Sequence, residues 1–231
     1  MRKPIVVIAA PRSGSSCVAG ILQRLGVNMG THWAPDTFSK RSDERLVEDV
    51  DFYQYNLFAF YNQIGVGNML QVPLPGMLNW TEEKKRELKD LIWRKNKINK
   101  GAWGWKHPMT VWYAKDFLVS IMAKQPWWNV DPYWVIVHRE QDKILASMEL
   151  AYGKDQAEFA ATGYETLINE FADICPNPVH IKYEHIVANP KLEIIWLDEQ
   201  LQLRATMKQC EEAVDYVQEF IDAKQKRQDE N

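Results

Sequence analysis

Two uninterrupted apolar runs mark this chain, Ile5–Ala10 (IVVIAA) and Tyr133–His138 (YWVIVH). Neither alternates with polar residues, as a strand with one wet face would. A β-branched apolar run predicts a strand buried on both faces, as in a parallel sheet. Ala102–Lys106 and Val179–Tyr183 are shorter strand candidates. Elsewhere apolar residues recur every three or four positions. Val18, Ile21, Leu22 and Leu25 predict a helix over Ser15–Leu25; Leu88, Leu91 and Ile92 predict another, with Thr81 as its N-cap and Glu82 and Glu83 in its first turn. Helices are also expected over Val111–Met122, Asp142–Tyr152, Gln156–Ile174, Pro190–Leu203 and Thr206–Ala223, followed by a frayed polar tail. Buried strands alternating with helices predict an α/β fold: a parallel sheet flanked by helices in three layers, α/β/α. His138 is expected to face the sheet interior.

One segment breaks this rhythm. About residues 30–80 are rich in aromatics and punctuated by Pro35, Gly65, Gly67, Pro73 and Pro75. They read as a helical and loop insertion within a single domain spanning 1–231. Trp33, Phe38, Phe52, Tyr53, Tyr55, Phe58, Phe60 and Tyr61 suit the core of that insertion better than the wall of a cleft, the other reading.

Composition narrows the partners. The 231 residues are 46% hydrophobic, enough for a real core, and carry a formal charge of -3. No global basic field recruits nucleic acid or an anionic membrane, and no stretch approaches the ~20 apolar residues of a membrane span. The N-terminal apolar run is too short for a signal-peptide core. The three cysteines, Cys17, Cys175 and Cys210, form no C-x-x-C pair and read as free thiols. These features predict a soluble, cytoplasmic protein.

The first strand runs into Pro11-Arg12-Ser13-Gly14-Ser15-Ser16, directly before a helix start. Amides at a helix N-terminus lack intrahelical acceptors, and the helix dipole adds positive potential. Gly14 lets the backbone approach an anion, while three hydroxyls and the Arg12 guanidinium add donors suited to phosphate or sulfate oxygens. An ordinary serine-capped turn is the alternative. The loop is P-loop-type without being a Walker A sequence, because no lysine follows Gly14.

This loop resembles the P-[KR]-[ST]-G-[ST]-[ST] signature of sulfotransferases that use 3′-phosphoadenosine 5′-phosphosulfate (PAPS), in the form similar to tyrosylprotein and bacterial members. A second signature, a strand ending in Arg with Ser about eight residues later, resembles Val135–Arg139 followed by Ser147. Three weaker matches fall in order: Gly104-Trp105-Lys106-His107-Pro108, the acidic stretch from Glu48 to Asn56, and Lys182–Pro190. Together they span about Ile5–Leu203. The resemblance implies that Arg12, Ser13, Gly14, Ser15 and Ser16 hold the 5′-phosphosulfate, and that Arg139 and Ser147 hold the 3′-phosphate. It implies catalytic parts for Arg12, Lys106 and a base, either Glu48 or His107, with no metal. The acceptor is then a small-molecule, glycan or lipid hydroxyl, or an amine.

His107 departs from the family's acidic residue, and the C-terminal R-K-G-x-x-G-D-W-K segment is absent, so adenine has no assigned holder. Read bare, Lys106 is a strand-end lysine facing solvent, His107 a strand-end histidine, and Glu48 part of a solvated acidic face with Asp43, Glu44, Asp49 and Asp51. Two other functions share the loop: an ATP-dependent phosphotransferase, and a non-catalytic nucleotide-binding or interaction module.

Overall fold

Among the described residues four strands form one sheet, and every neighbouring pair is parallel: β1 (Ile5–Ala9), β2 (Gly104–Lys106), β3 (Tyr133–His138) and β4 (Val179–Lys182), in the order β2-β1-β3-β4. The computed structural model describes residues 3–30, 48–64, 80–119 and 132–229. Trp33, Phe38, Asp43 and Glu44, the turn glycines and prolines of the insertion, and the side chains of Phe58, Phe60 and Tyr61 lie outside the described set.

The helices among the described residues are α1 (Ser15–Arg24), α2 (Val50–Ile64), α3 (Glu82–Ile98), α4 (Thr110–Tyr113), α5 (Gln141–Tyr152), α6 (Lys154–Ile174), α7 (Tyr183–Ala188), α8 (Pro190–Leu201) and α9 (Met207–Asp229). A π-helical turn, Ala114–Leu118, continues α4. Residues 120–122 of the helix expected to end at Met122 lie outside the described residues.

Strand alternation divides the core in two. Val6, Ile8, Trp134 and Ile136 point to the side covered by α2 to α6. Ile5, Val7, Ala9, Val135, Val137, Val179 and Ile181 point to the side covered by α1, α7, α8 and α9. The three-layer α/β/α fold expected from the apolar runs is therefore present. Each fully buried large side chain contributes roughly 1.5–3 kcal/mol, and the described part of the insertion, α2, packs into this core. Phe52 of α2 stacks on Trp105 of β2 with ring centroids 4.1 Å apart. Tyr55 is buried, and its hydroxyl donates to the Lys84 carbonyl at 3.1 Å. Gly104 lies against β1 so closely that a Cβ there would collide with the Ile5 carbonyl oxygen.

Three expectations change. His138 does not face the interior; it is half-buried at the sheet's carboxyl edge, its Nε2 2.8 Å from His180 Nδ1. The tail read as frayed continues α9 to Asp229, because Lys, Gln, Arg and Glu are good helix formers. The segment after β4 forms the short helix α7, too brief for a visible apolar period.

Connectivity locates the functional edge. The chain leaves β1 for β2 on one side and later adds β3 on the other. The carboxyl ends of β1 and β3 thus flank a topological switch point, where open parallel sheets bind ligands.

Candidate functional site

The loop after β1 opens at this switch point. Arg12 and Gly14 both adopt left-handed backbone, with φ of 67° and 90°. Gly14 is the N-cap of α1, so no side chain caps the helix and the serine-capped turn is not what forms. The amides of Ser15 and Ser16 have no intrahelical acceptor. Ser13 is fully buried, and its Oγ has no hydrogen-bond partner among the described residues. A buried hydroxyl left this way costs about 1–3 kcal/mol, so a ligand oxygen here would satisfy a donor the fold does not.

Gly14 is required for a second reason. A Cβ at this position would run into the Tyr183 ring, and φ of 90° is strained for any L side chain. Gly14→Ala is expected to destabilise the protein by about 2–4 kcal/mol, combining left-handed strain with overpacking. Urea unfolding measures this; an unchanged midpoint would mean that the ring yields freely.

The second arm comes from β3 and α5. Arg139 Nη1 donates to the Arg12 carbonyl at 2.6 Å, and Arg12 Nε donates to Ser147 Oγ at 3.0 Å. Residues 127 and 135 positions apart in sequence are thereby joined. Arg139 also stacks over Tyr183, its Cζ 5.3 Å from the ring centroid, and its Nε is buried without a hydrogen-bond partner among the described residues. Two guanidiniums, the α1 amides and the Ser13 and Ser147 hydroxyls therefore meet at one edge of the sheet, a donor set suited to a ligand with more than one anionic group. Ser16 is half-buried, and its carbonyl accepts from the Tyr216 hydroxyl of α9 at 3.4 Å.

A third group sits at the end of β2, which pairs with β1 in the register Val7 to Lys106. Lys106 is 2% exposed, and its ammonium lies 2.6 Å from Glu48 Oε1. His107 is 1% exposed; its Nδ1 accepts from the Met109 amide at 3.2 Å, and its Nε2 lies 3.7 Å from Glu48 Oε2. The edge of Tyr53 meets the His107 ring, centroids 5.6 Å apart. Lys106 thus does not face solvent, and Glu48 and Asp49 are not a solvated face. Asp49 caps α2, accepting from the Asp51 amide at 3.0 Å, and binds Lys95 at 2.6 Å. Burial opposes the charge on Lys95, but its bonds to Asp49 and Asp51 outweigh that and hold its pKa above the usual value.

Burial pulls the His107 pKa down to about 4; Glu48 opposes the shift and Lys106 adds to it. Above its ordinary value of 6.5, neither folded nor unfolded chain protonates this ring. As pH falls toward 4, the unfolded chain takes up a proton and the folded chain does not. Stability present above 6.5 is then lost, by about 3 kcal/mol in all. Urea unfolding from about pH 7 to 4.5 should show this component in the parent and not in His107→Gln; parallel curves would contradict it.

Tyr183, which floors the loop, went unassigned in the sequence reading. Its position directly after β4, at the carboxyl edge beside the switch point, was the available signal. Beyond Arg139, His138, His180, Lys182, His185 and Trp196 line an open groove of about 620 Å³. Burial, then His180 and Lys182, lower the His138 pKa. Among the described residues no cluster of three His, Cys, Asp or Glu side chains is arranged to hold a metal ion, and no helix is long and apolar enough to cross a membrane.

No protein-family model matches the chain, and no curated protein matches it in sequence. Solved structures do match. The sulfotransferase domain of the Synechococcus PCC 7002 olefin synthase aligns over 90% of this chain and 77% of its own, at 13% identity and a TM-score of 0.51. Sulfotransferase STF1 from Mycobacterium tuberculosis aligns over 93% and 71%, at 15% identity and a TM-score of 0.52. The sulfotransferase domain of the curacin biosynthetic pathway aligns over 90% and 77%, at 14% identity and a TM-score of 0.50. The chain has the fold of sulfotransferase domains, the proteins that its motifs resemble.

Proposed function

We propose that this protein is a PAPS-dependent sulfotransferase acting on an acceptor hydroxyl or amine. The observation that carries this reading is the bridge from Arg139 through the Arg12 backbone and side chain to Ser147. It joins the loop after β1 to the end of β3 and to α5 at the switch point, and Lys106, which pairs with buried Glu48, ends the neighbouring strand β2.

In this reading the loop amides, Arg12 and the hydroxyls of Ser13, Ser15 and Ser16 hold the 5′-phosphosulfate, while Arg139 and Ser147 hold the 3′-phosphate. The buried, unpartnered Ser13 Oγ and Arg139 Nε support that fit. The acceptor oxygen attacks sulfur in line; an S–O bond forms as the bond from sulfur to the 5′-phosphate oxygen breaks. Glu48 takes the acceptor proton, and adenosine 3′,5′-bisphosphate leaves. Sulfuryl transfer asks the protein chiefly for positioning and charge stabilisation, as phosphoryl transfer does. Arg12 and the α1 dipole neutralise the leaving phosphate, and Lys106 supplies positive charge beside the transferred group.

The test is transfer of labelled sulfate from PAPS to a panel of phenols, sugars, lipids and hydroxyl-bearing peptides, without added metal. Labelled product is expected. Bisphosphate binding with no transfer to any acceptor would favour a non-catalytic module. Thermal stabilisation by ATP with Mg²⁺ and not by the bisphosphate would overturn the reading in favour of a phosphotransferase.

A further inference from the structure

Two buried groups compete for the role of base, and their hydrogen bonds separate them. His107 Nδ1 accepts the Met109 amide at 3.2 Å. A ring nitrogen that accepts a backbone N–H carries no proton, so the neutral imidazole holds its proton on Nε2. Nε2 is buried, has no hydrogen-bond partner among the described residues and lies 3.7 Å from Glu48 Oε2. The opposite oxygen, Oε1, takes the Lys106 ammonium at 2.6 Å. Neither ring nitrogen is therefore open to remove a proton from an acceptor. Among the described residues the titratable groups that face the ring are Glu48 ahead of α2, Lys106 at the end of β2 and Tyr53 from α2.

We propose that His107 is a positioning residue and not a base. As the neutral Nε2–H tautomer it faces Oε2 of Glu48 while Lys106 holds Oε1, and together they fix the orientation of the carboxylate that accepts the proton. At 3.7 Å the contact is a directed N–H dipole, and a closure of under an ångström as the acceptor binds would make it a hydrogen bond. A neutral donor suits this position, because it orients the carboxylate without adding a second full charge beside Lys106. The inference rests on the sulfotransfer reading, in which Glu48 is the base.

The test joins a spectrum to a variant series. Nitrogen-15 NMR of the labelled parent protein at about pH 7 should show His107 neutral with its proton on Nε2; a proton on Nδ1, or an imidazolium, overturns the proposal whatever the activity. In sulfate transfer, His107→Gln, which keeps a donor at the Nε2 position, should stay within ~10-fold of the parent with an unmoved acid limb in its pH profile. His107→Leu should lose ~10–100-fold in kcat with nucleotide affinity kept, the usual range for an orienting partner. Glu48→Gln should lose ~100–10,000-fold, the range for a general base. Equal losses in His107→Gln and Glu48→Gln, or an active Glu48→Gln, overturn this inference alone. Absence of transfer by the parent overturns the sulfotransfer reading and this inference together, leaving only the tautomer standing.

Discussion

Lys106→Met is expected to lower the unfolding free energy by about 3–5 kcal/mol, because it removes one member of a buried ion pair. Both side chains are almost wholly withdrawn from water, and their 2.6 Å contact ties β2 to the segment entering α2. The double variant Glu48→Gln, Lys106→Met should recover much of the stability, as apolar or neutral replacements of buried ion pairs often do. Urea unfolding of the two single variants and the double gives the coupling directly. Additive losses would mean that the pair is not energetically joined, and that Glu48 is held by other contacts.

Arg139→Ala and Arg12→Ala should each weaken binding of adenosine 3′,5′-bisphosphate by about 1.5–3 kcal/mol, or roughly 10–150-fold, the range for a charge-assisted hydrogen bond. The two effects should not add. Arg139 donates to the Arg12 carbonyl and Arg12 donates to Ser147, so removing either arginine also loosens the other arm. Calorimetric titration of both single variants and the double measures this. Unchanged affinity in both single variants would refute the site, and a simple sum would mean that the two arms act independently.

Much of this edge of the sheet was legible in sequence because its signals are local. Tyr133–His138 forms a strand over the predicted residues, since an unbroken β-branched run has few other ways to be buried. The loop from Pro11 to Ser16 was visible as a glycine and three hydroxyls wedged between a buried strand and a helix start. The partners of its residues were not local. Glu48 and Asp49 looked like a solvated acidic run, yet their cations sit 58 and 46 residues away, on β2 and α3. Charge alone does not reveal such pairings. Tyr183 shows the same limit from another direction: only the packed fold puts its ring against Gly14 and beneath Arg139. His138 was misplaced because alternation along β3 does not tell where the sheet ends, and the last residue of a buried strand can already stand at the rim.

Calorimetric binding of adenosine 3′,5′-bisphosphate and adenosine 5′-monophosphate, to the parent protein and to Arg139→Ala, tests the account at its centre. The parent should prefer the bisphosphate by roughly 10–150-fold, the worth of one charge-assisted phosphate contact, and Arg139→Ala should erase that preference, so that both nucleotides bind alike. Equal binding of both nucleotides by the parent, or a preference that survives Arg139→Ala, would contradict it.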